Sequence, residues 1–156
     1  KNSQTVLDIC SHPGGKSLTL LSHNRDIKLF AMDINHAKCV KLLNNLHRNY
    51  GPENIYSVTH NGESPPFKKE IADLVICDVP CSGTGIISIR PELRWRIKNT
   101  DILKNNSVQR NILEKSSFLL KRGGYLVYST CSIAEEENFD QISLFLEKNR
   151  NFCFFT

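Results

Sequence analysis

The sequence has no apolar run of the eighteen or so residues that a membrane-spanning helix needs, and its opening stretch, Lys1 to Thr5, lacks the apolar core of a signal peptide. On that ground the chain reads as soluble and intracellular. Its six cysteines, Cys10, Cys39, Cys77, Cys81, Cys131 and Cys153, include no C-x-x-C pair, which argues for reduced thiols over a disulfide framework and against paired zinc ligands. The histidines (His12, His23, His36, His47 and His60) have no metal-ligand spacing, so surface or packing roles and no resident metal are expected. Internal repeats and low-complexity tracts are missing; the recurrent Asn, as at Asn44 and Asn45, is compositional bias. The charge excess is small: 20 Lys and Arg against 16 Asp and Glu leave +4, which fits an anionic partner without requiring one.

What is present is enough for one ordinary domain. A chain of 156 residues, 40% of them apolar, buries roughly two-thirds of the surface its unfolded state exposes and needs no staple. Short runs rich in Val, Ile, Leu and aromatics predict strands at Thr5 to Ile9, Ile27 to Met32, Ile55 to Thr59, Ala72 to Cys77 and Tyr125 to Ser129. Helical patterns fall between them at about Lys16 to Ser22, Ala37 to Tyr50 and Thr100 to Leu120, with a last one from Ile133 to Lys148. Ser132 and Glu135 have the spacing of a capping box, the acids Glu135, Glu136 and Glu137 suit the helix dipole, and Phe139, Ile142 and Leu146 are expected to face the sheet. This alternation predicts a doubly wound α/β layer with a parallel sheet, whose ligands bind at the carboxyl ends of the strands.

Three strand-end loops hold the residues able to do chemistry. In the first, CSHPGGK at Cys10 to Lys16, Gly14 and Gly15 let the chain turn tightly into a helix whose N-terminus offers free amides. A plain glycine-rich turn is the competing reading. Asp33, about twenty residues after the glycines at the next strand end, has the spacing of an acid that accepts both hydroxyls of an adenosine ribose. GGKS at Gly14 to Ser17 also resembles the tail of a phosphate-binding P-loop, with LVICD ending at Asp78 as a magnesium strand. That pattern requires glycine where the chain has Cys10, and Pro13 removes an amide donor. The second loop, DVPCSGTG at Asp78 to Gly85, and the third, STCS at Ser129 to Ser132, each set a cysteine in a small polar loop. Adjacent parallel strands lie about 5 Å apart, so Cys81 and Cys131 can face one cleft beside Asp78. The other four cysteines read as small buried hydrophobes.

The segments DICSHPGGK, DVPCSGTG, IRPELRW and GGYLVYSTCSIAEEEN resemble the RNA cytosine-5 methyltransferases of the Sun/Fmu family over nearly the whole chain. The pairing of PC after the fourth strand with TC after the fifth is specific to that family. The resemblance implies a Rossmann-like S-adenosylmethionine-dependent methyltransferase fold, and residues 1–156 read as a catalytic-domain fragment that lacks the last strands.

It also implies a division of labour. Cys131 would add to carbon 6 of cytosine, activating carbon 5 toward the methyl donor, and Cys81 would serve the release step. Asp78 would hydrogen-bond the Watson-Crick edge of the base, and Lys16 would point into the same cleft and favour a thiolate. Cys10, His12, Pro13, Gly14, Gly15 and Lys16 map onto the methionine-side loop, Asp33 onto the ribose, Asp78 onto the inner wall and Asn61 onto the adenine side. The chain departs from the family pattern at Asn61, where members usually carry Asp, and at Ser11 and His12, where they commonly carry two alanines. The implied partner is RNA, ribosomal ahead of transfer, with an accessible base. The implied location is the cytoplasm of a bacterium, or the nucleolus or mitochondrion of a eukaryote. Arg90, Arg94 and Arg96 read evenly as phosphate contacts or as a helix-lead loop, and the lone Trp95 is expected to pack inward. Outside this family, a nucleoside triphosphatase and a noncatalytic RNA-binding module are the alternatives.

Overall fold

The central strand β1 (Thr5–Asp8) is the apolar run TVLD, and its neighbours on both sides pair with it in parallel. The computed structural model describes residues 3–155; Lys1, Asn2 and Thr156, which the sequence reading took in at the two ends, lie outside the described residues. After β1 come α1 (Gly15–His23), β2 (Lys28–Asp33), α2 (His36–Tyr50), β3 (Ile55–Thr59) and β4 (Ala72–Asp78). The short α3 (Leu93–Arg96), α4 (Asn99–Ser117), β5 (Leu120–Ser129) and α5 (Phe139–Lys148) complete the order. The five strands form one parallel sheet in the order β3-β2-β1-β4-β5. The order reverses beside β1, and a Rossmann-like sheet binds ligands at that switch point.

Alternation along the strands sends side chains to two separate cores. Val6, Leu29, Ala31 and Ile55 pack with Leu21 of α1 and with Leu42 and Leu46 of α2 on one face. Leu7, Ile9, Met32, Val75 and Cys77 pack with Ile112 of α4 on the other. Asn35 caps α2, its side-chain oxygen accepting from the Lys38 amide at 3.1 Å.

Several boundaries differ from the sequence reading, each for a physical reason. β5 begins five residues early, because Leu120 pairs with Ala72 and the KRGG stretch bulges before pairing resumes at Tyr125 with Leu74. Gly123 takes a left-handed φ of 78°, and a Cβ on Gly124 would stand 2.9 Å from Leu120. The last helix does not start at Ile133. A 3-10 turn spans Glu135–Glu137, and α5 follows from Phe139. Ser132 therefore caps no helix through Glu135; its hydroxyl accepts from the Ala134 amide at 3.0 Å. Phe139 is exposed, and α5 buries Gln141 and Phe145 in its place. No helix of the described residues is long and apolar enough to cross a membrane.

Leu7 is fully buried at the centre of the sheet, so Leu7→Ala should lower unfolding free energy by about 2–5 kcal/mol. Denaturant titration with an unchanged slope checks this.

Candidate functional site

The loop after β1 is pinned from below. Asp8, buried at the strand end, accepts from the Ser17 hydroxyl at 2.7 Å, and Ser17 lies 3.0 Å from the Ser11 hydroxyl. Burial raises the Asp8 pKa, against the hydrogen bonds from Ser17 and Ser11. The other Asp8 oxygen, Oδ1, has no protein partner. Gly14 turns the chain with a left-handed φ of 105°, where a Cβ would also collide with Leu42 at 2.6 Å. Gly15 opens α1 onto space, with nothing within 4 Å of where its Cβ would be, and no side chain caps the helix. Its first amides thus face outward over bare backbone.

Two further strand ends border this opening. Asp33, half-buried at the end of β2, accepts from the Asn35 amide at 2.9 Å. Asn61 follows β3 and accepts from the Glu63 amide at 3.0 Å, while Gly62 is buried where a Cβ would press on Ile9 and Ile112. Burial lowers the pKa of the neighbouring His60, keeping its ring neutral. A glycine-faced helix start, an orphaned buried carboxylate oxygen and a strand-end acid together suit an elongated nucleoside ligand with a charged tail. His12, half-buried, and the exposed Pro13 complete the loop, and Cys10 lies at its base. Burial, reinforced by the charges of Asp8 and Asp33, pushes the Cys10 thiol up to about 12.

Beside this cradle, β4 and β5 bring two cysteines together. Asp78 pairs in register with Ser129, whose hydroxyl donates to one of its oxygens at 2.8 Å; Lys16 binds the other at 2.6 Å. Three residues past Asp78, the Cys81 Sγ lies 2.8 Å from the Cys131 Sγ and accepts from the Cys131 amide at 3.2 Å. Cys131 is exposed and Cys81 is half-buried. Burial, together with the Cys131 side chain, pushes the Cys81 thiol up to about 12. The Gly85 amide donates to the Cys131 carbonyl at 2.9 Å, and a Cβ at Gly85 would meet that same oxygen at 2.9 Å.

The fold therefore brings Cys81 to Cys131, and Lys16 to Asp78, at the carboxyl ends of β4 and β5, and arranges Cys10, His12, Pro13, Gly14, Gly15, Asp33 and Asn61 along the adjoining strand ends. The expectation that Trp95 packs inward is overturned. Trp95 is 86% exposed on α3, a helix of four residues too short to bury a face. Sequence reasoning missed Glu137 and Gln109, both fully buried beneath the cysteine loops. A helical pattern cannot tell which acid of a run of three turns inward, and nothing marked Gln109. A groove of about 1080 Å³ runs along the β5 edge past Tyr125 and Phe155, and none of the cysteine-loop residues lines it. Among the described residues no group of three or more His, Cys, Asp or Glu side chains comes together to hold a metal ion.

Residues 1–155 match the family model described as "16S rRNA methyltransferase RsmB/F". The chain is 40% identical over 147 residues to ribosomal RNA small subunit methyltransferase B of Shewanella oneidensis, covering 94% of this chain and 34% of that protein. It spans about a third of the length of the curated relatives it matches. Among solved structures, the crystal structure of PH0851 superposes with a TM-score of 0.88 at 34% identity, over 95% of this chain and 34% of that one. NSun6 from Pyrococcus horikoshii, crystallised with SFG, gives 0.80 at 25% identity, over 95% of this chain and 38% of that one.

Thiol environments predict labelling. At pH 8 a thiol with a pKa near 12 is about 0.01% thiolate. Iodoacetamide should label the exposed Cys131 and Cys153 first, with Cys81 labelling rising about tenfold per pH unit up to pH 11. Peptide mapping by mass spectrometry checks this, and a flat Cys81 profile would contradict the assignment.

Proposed function

The chain belongs to the 16S rRNA methyltransferase RsmB/F family, and from that membership we propose that it methylates carbon 5 of cytosine in RNA, ribosomal RNA foremost, through a covalent adduct on Cys131. S-adenosylmethionine, when bound, supplies the methyl group. The observation that carries the reading is the convergence of two cysteines from different strand ends, 2.8 Å apart, beside an Asp78 already charge-paired with Lys16.

Each residue takes a role its surroundings support. Cytosine carbon 5 is a weak nucleophile, so the Cys131 thiolate bonds to carbon 6 and leaves the ring enamine-like at carbon 5. Carbon 5 takes the methyl group and then gives its proton to a general base, and the electron pair left behind forms the carbon 5 to carbon 6 double bond and expels the Cys131 sulfur as thiolate. Cys81, whose sulfur lies 2.8 Å from that of Cys131, serves this release. The Asp78 carboxylate hydrogen-bonds the amine edge of the base and stabilises the positive charge that develops there. Lys16, ion-paired to Asp78 at 2.6 Å, holds that carboxylate in place. Gly14 and Gly15 admit the methionine end of the cofactor, Cys10, His12 and Pro13 line it, Asp33 accepts from the ribose hydroxyls, and the Asn61 amide meets adenine.

The substrate base must leave its stack to reach Cys131. Arg94, Trp95 and Arg96 project from α3 just beyond the Cys81 loop, with Arg90 paired to Glu92 at 2.9 Å beside them. An exposed indole between two guanidiniums suits stacking on an unpaired base and contact with its phosphates. The proposed place of action is the bacterial cytoplasm. The single domain of residues 1–156 carries the catalytic cysteines and the cofactor cradle in this reading.

Calorimetric titration should show binding of S-adenosylmethionine and none of magnesium adenosine triphosphate; the reverse pattern would replace this reading with a nucleotidase. Asp33→Ala should weaken cofactor binding by about tenfold, the loss of a charged hydrogen-bond acceptor. In the full-length protein, Cys131→Ser should abolish RNA methylation. Cys81→Ser should accumulate protein covalently joined to RNA on denaturing gels.

A further inference from the structure

The mechanism above leaves unexplained two consecutive side chains beneath the cysteine loops, the buried Glu137 and the half-buried Asn138, at the end of one 3-10 turn. Glu137 is fully buried and faces the Cys81 loop. One of its oxygens accepts from the Ser82 amide at 2.9 Å, from Gln109 at 3.1 Å and from Asn105 at 3.1 Å; the other accepts from the Ser82 hydroxyl. Gln109 donates as well to the Pro80 carbonyl at 2.8 Å, so both neighbours of Cys81 in the chain are held. Asn138 faces the other loop. Its oxygen accepts from the Thr130 hydroxyl at 2.7 Å, and its amide nitrogen donates to the Ser132 carbonyl at 2.8 Å, so both neighbours of Cys131 are held too.

We propose that Glu137 and Asn138 form a bracket that sets the distance between the two thiols, Glu137 fixing the Cys81 loop and Asn138 the Cys131 loop. They are positioning residues: Glu137 grips Ser82 directly and Pro80 through Gln109, and Asn138 grips both residues that flank Cys131. Because the two are consecutive in the chain, a rigid backbone step couples the loops, and the Tyr128 hydroxyl donates to the Glu137 carbonyl at 2.8 Å to seat that step on β5. Direct cross-loop contacts add to it: hydroxyl contacts among Ser82, Thr84 and Ser132 at 2.9 to 3.2 Å, the Gly85 amide on the Cys131 carbonyl at 2.9 Å and the Cys131 amide on the Cys81 sulfur at 3.2 Å. The bracket supplies a charged acceptor in a buried place, where such hydrogen bonds are strongest. Its use in catalysis rests on the proposed function; the bracket itself does not.

The thiol pair is its own ruler. In full-length protein equilibrated with oxidised and reduced glutathione, the two thiols give up two protons and two electrons to form one disulfide, and glutathione disulfide leaves as two thiols. The equilibrium fraction reports the effective concentration of Cys81 at Cys131 and is read by mass spectrometry. Glu137→Gln, which turns an amide toward the Ser82, Gln109 and Asn105 donors, and Asn138→Asp should each lower that concentration about tenfold or more. Leu29→Ala, in the core on the other face of the sheet, should leave it within about twofold although it destabilises the protein. If a bracket variant fails to fold, Thr130→Val against Thr130→Ser decides: the valine should lower the ratio and the serine restore it. An unchanged ratio in folded Glu137→Gln, or equal ratios for the two Thr130 variants, overturns the bracket. The measurement needs neither RNA nor methyl donor, so a wild-type protein without methylation activity would sink the proposed function and leave this result standing. Where methylation is present, Asn138→Asp should lower kcat and leave cofactor Kd unchanged.

Discussion

Parallel pairing of β4 with β5, with Asp78 opposite Ser129, is the constraint on which the chemistry of this molecule depends. Parallel neighbours end on the same side of a sheet, so loops that follow them must emerge together. Fifty positions of sequence separate Cys81 from Cys131, and no local preference could bring them together; a shared ladder does so, and the contact between the two sulfurs follows from it. A slip of one residue in that ladder would turn Asp78 and the residues after it to the opposite face. The bulge at KRGG takes up the mismatch upstream, where Ala72 pairs with Leu120, and lets the register from Leu74 to Asp78 run unbroken into the site.

The same strand ends decide the electrostatics. Asp8, Asp33 and Asp78 close β1, β2 and β4, so three carboxylates gather along one rim of the sheet. They are kept distinct by what surrounds them. Asp8 is buried and held by serines, Asp33 is spent partly on the Asn35 amide, and Asp78 is paired with Lys16. The ion pair is only part-buried, so its worth lies in orientation more than in stability. The charges also explain why Cys10, though at the base of the glycine loop, is a poor nucleophile: burial and the nearby acids both disfavour its thiolate.

Much of this was legible in the sequence because the informative signals are local. Ile55 to Thr59 was read to the residue, and the strand ends that carry the loops were displaced by one position at most. Glycines, strand-end acids and the cysteine pair stand at fixed offsets from those ends, so placing the strands also placed these motifs along one rim of the sheet. What failed was whatever only tertiary contact decides. Trp95 obeys the usual preference of a lone Trp for the core only if its element has a face to bury, and α3 is four residues long. Phe139 has the spacing of a sheet-facing residue on a helix begun at Ile133. The intervening 3-10 turn shifts the phase, so Phe145 is buried and Phe139 is exposed.

Glu137 is the most instructive of the misses, because composition says that a run of three acids should be solvated and the fold buries one of them completely. Burying a carboxylate costs several kcal/mol unless its lone pairs are filled. Four donors fill them here: the Ser82 amide and hydroxyl, Asn105 and Gln109. Burial pushes the Glu137 pKa up, yet the surrounding polar groups, the Ser82 amide and hydroxyl and Asn105 among them, outweigh it and leave the pKa lowered, so the group stays ionised. At about 1.5–3 kcal/mol for each hydrogen bond to a charge, the four donors are sufficient to offset that burial. A buried charge so enclosed is intolerant of displacement, since moving any donor exposes an unpaired ion to a low dielectric. That intolerance is a source of rigidity that a hydrophobic contact of the same size lacks. Reacting groups must be held to within about half an ångström of productive geometry. It therefore makes physical sense that the charge lies under the loops that carry the thiols instead of elsewhere in the core.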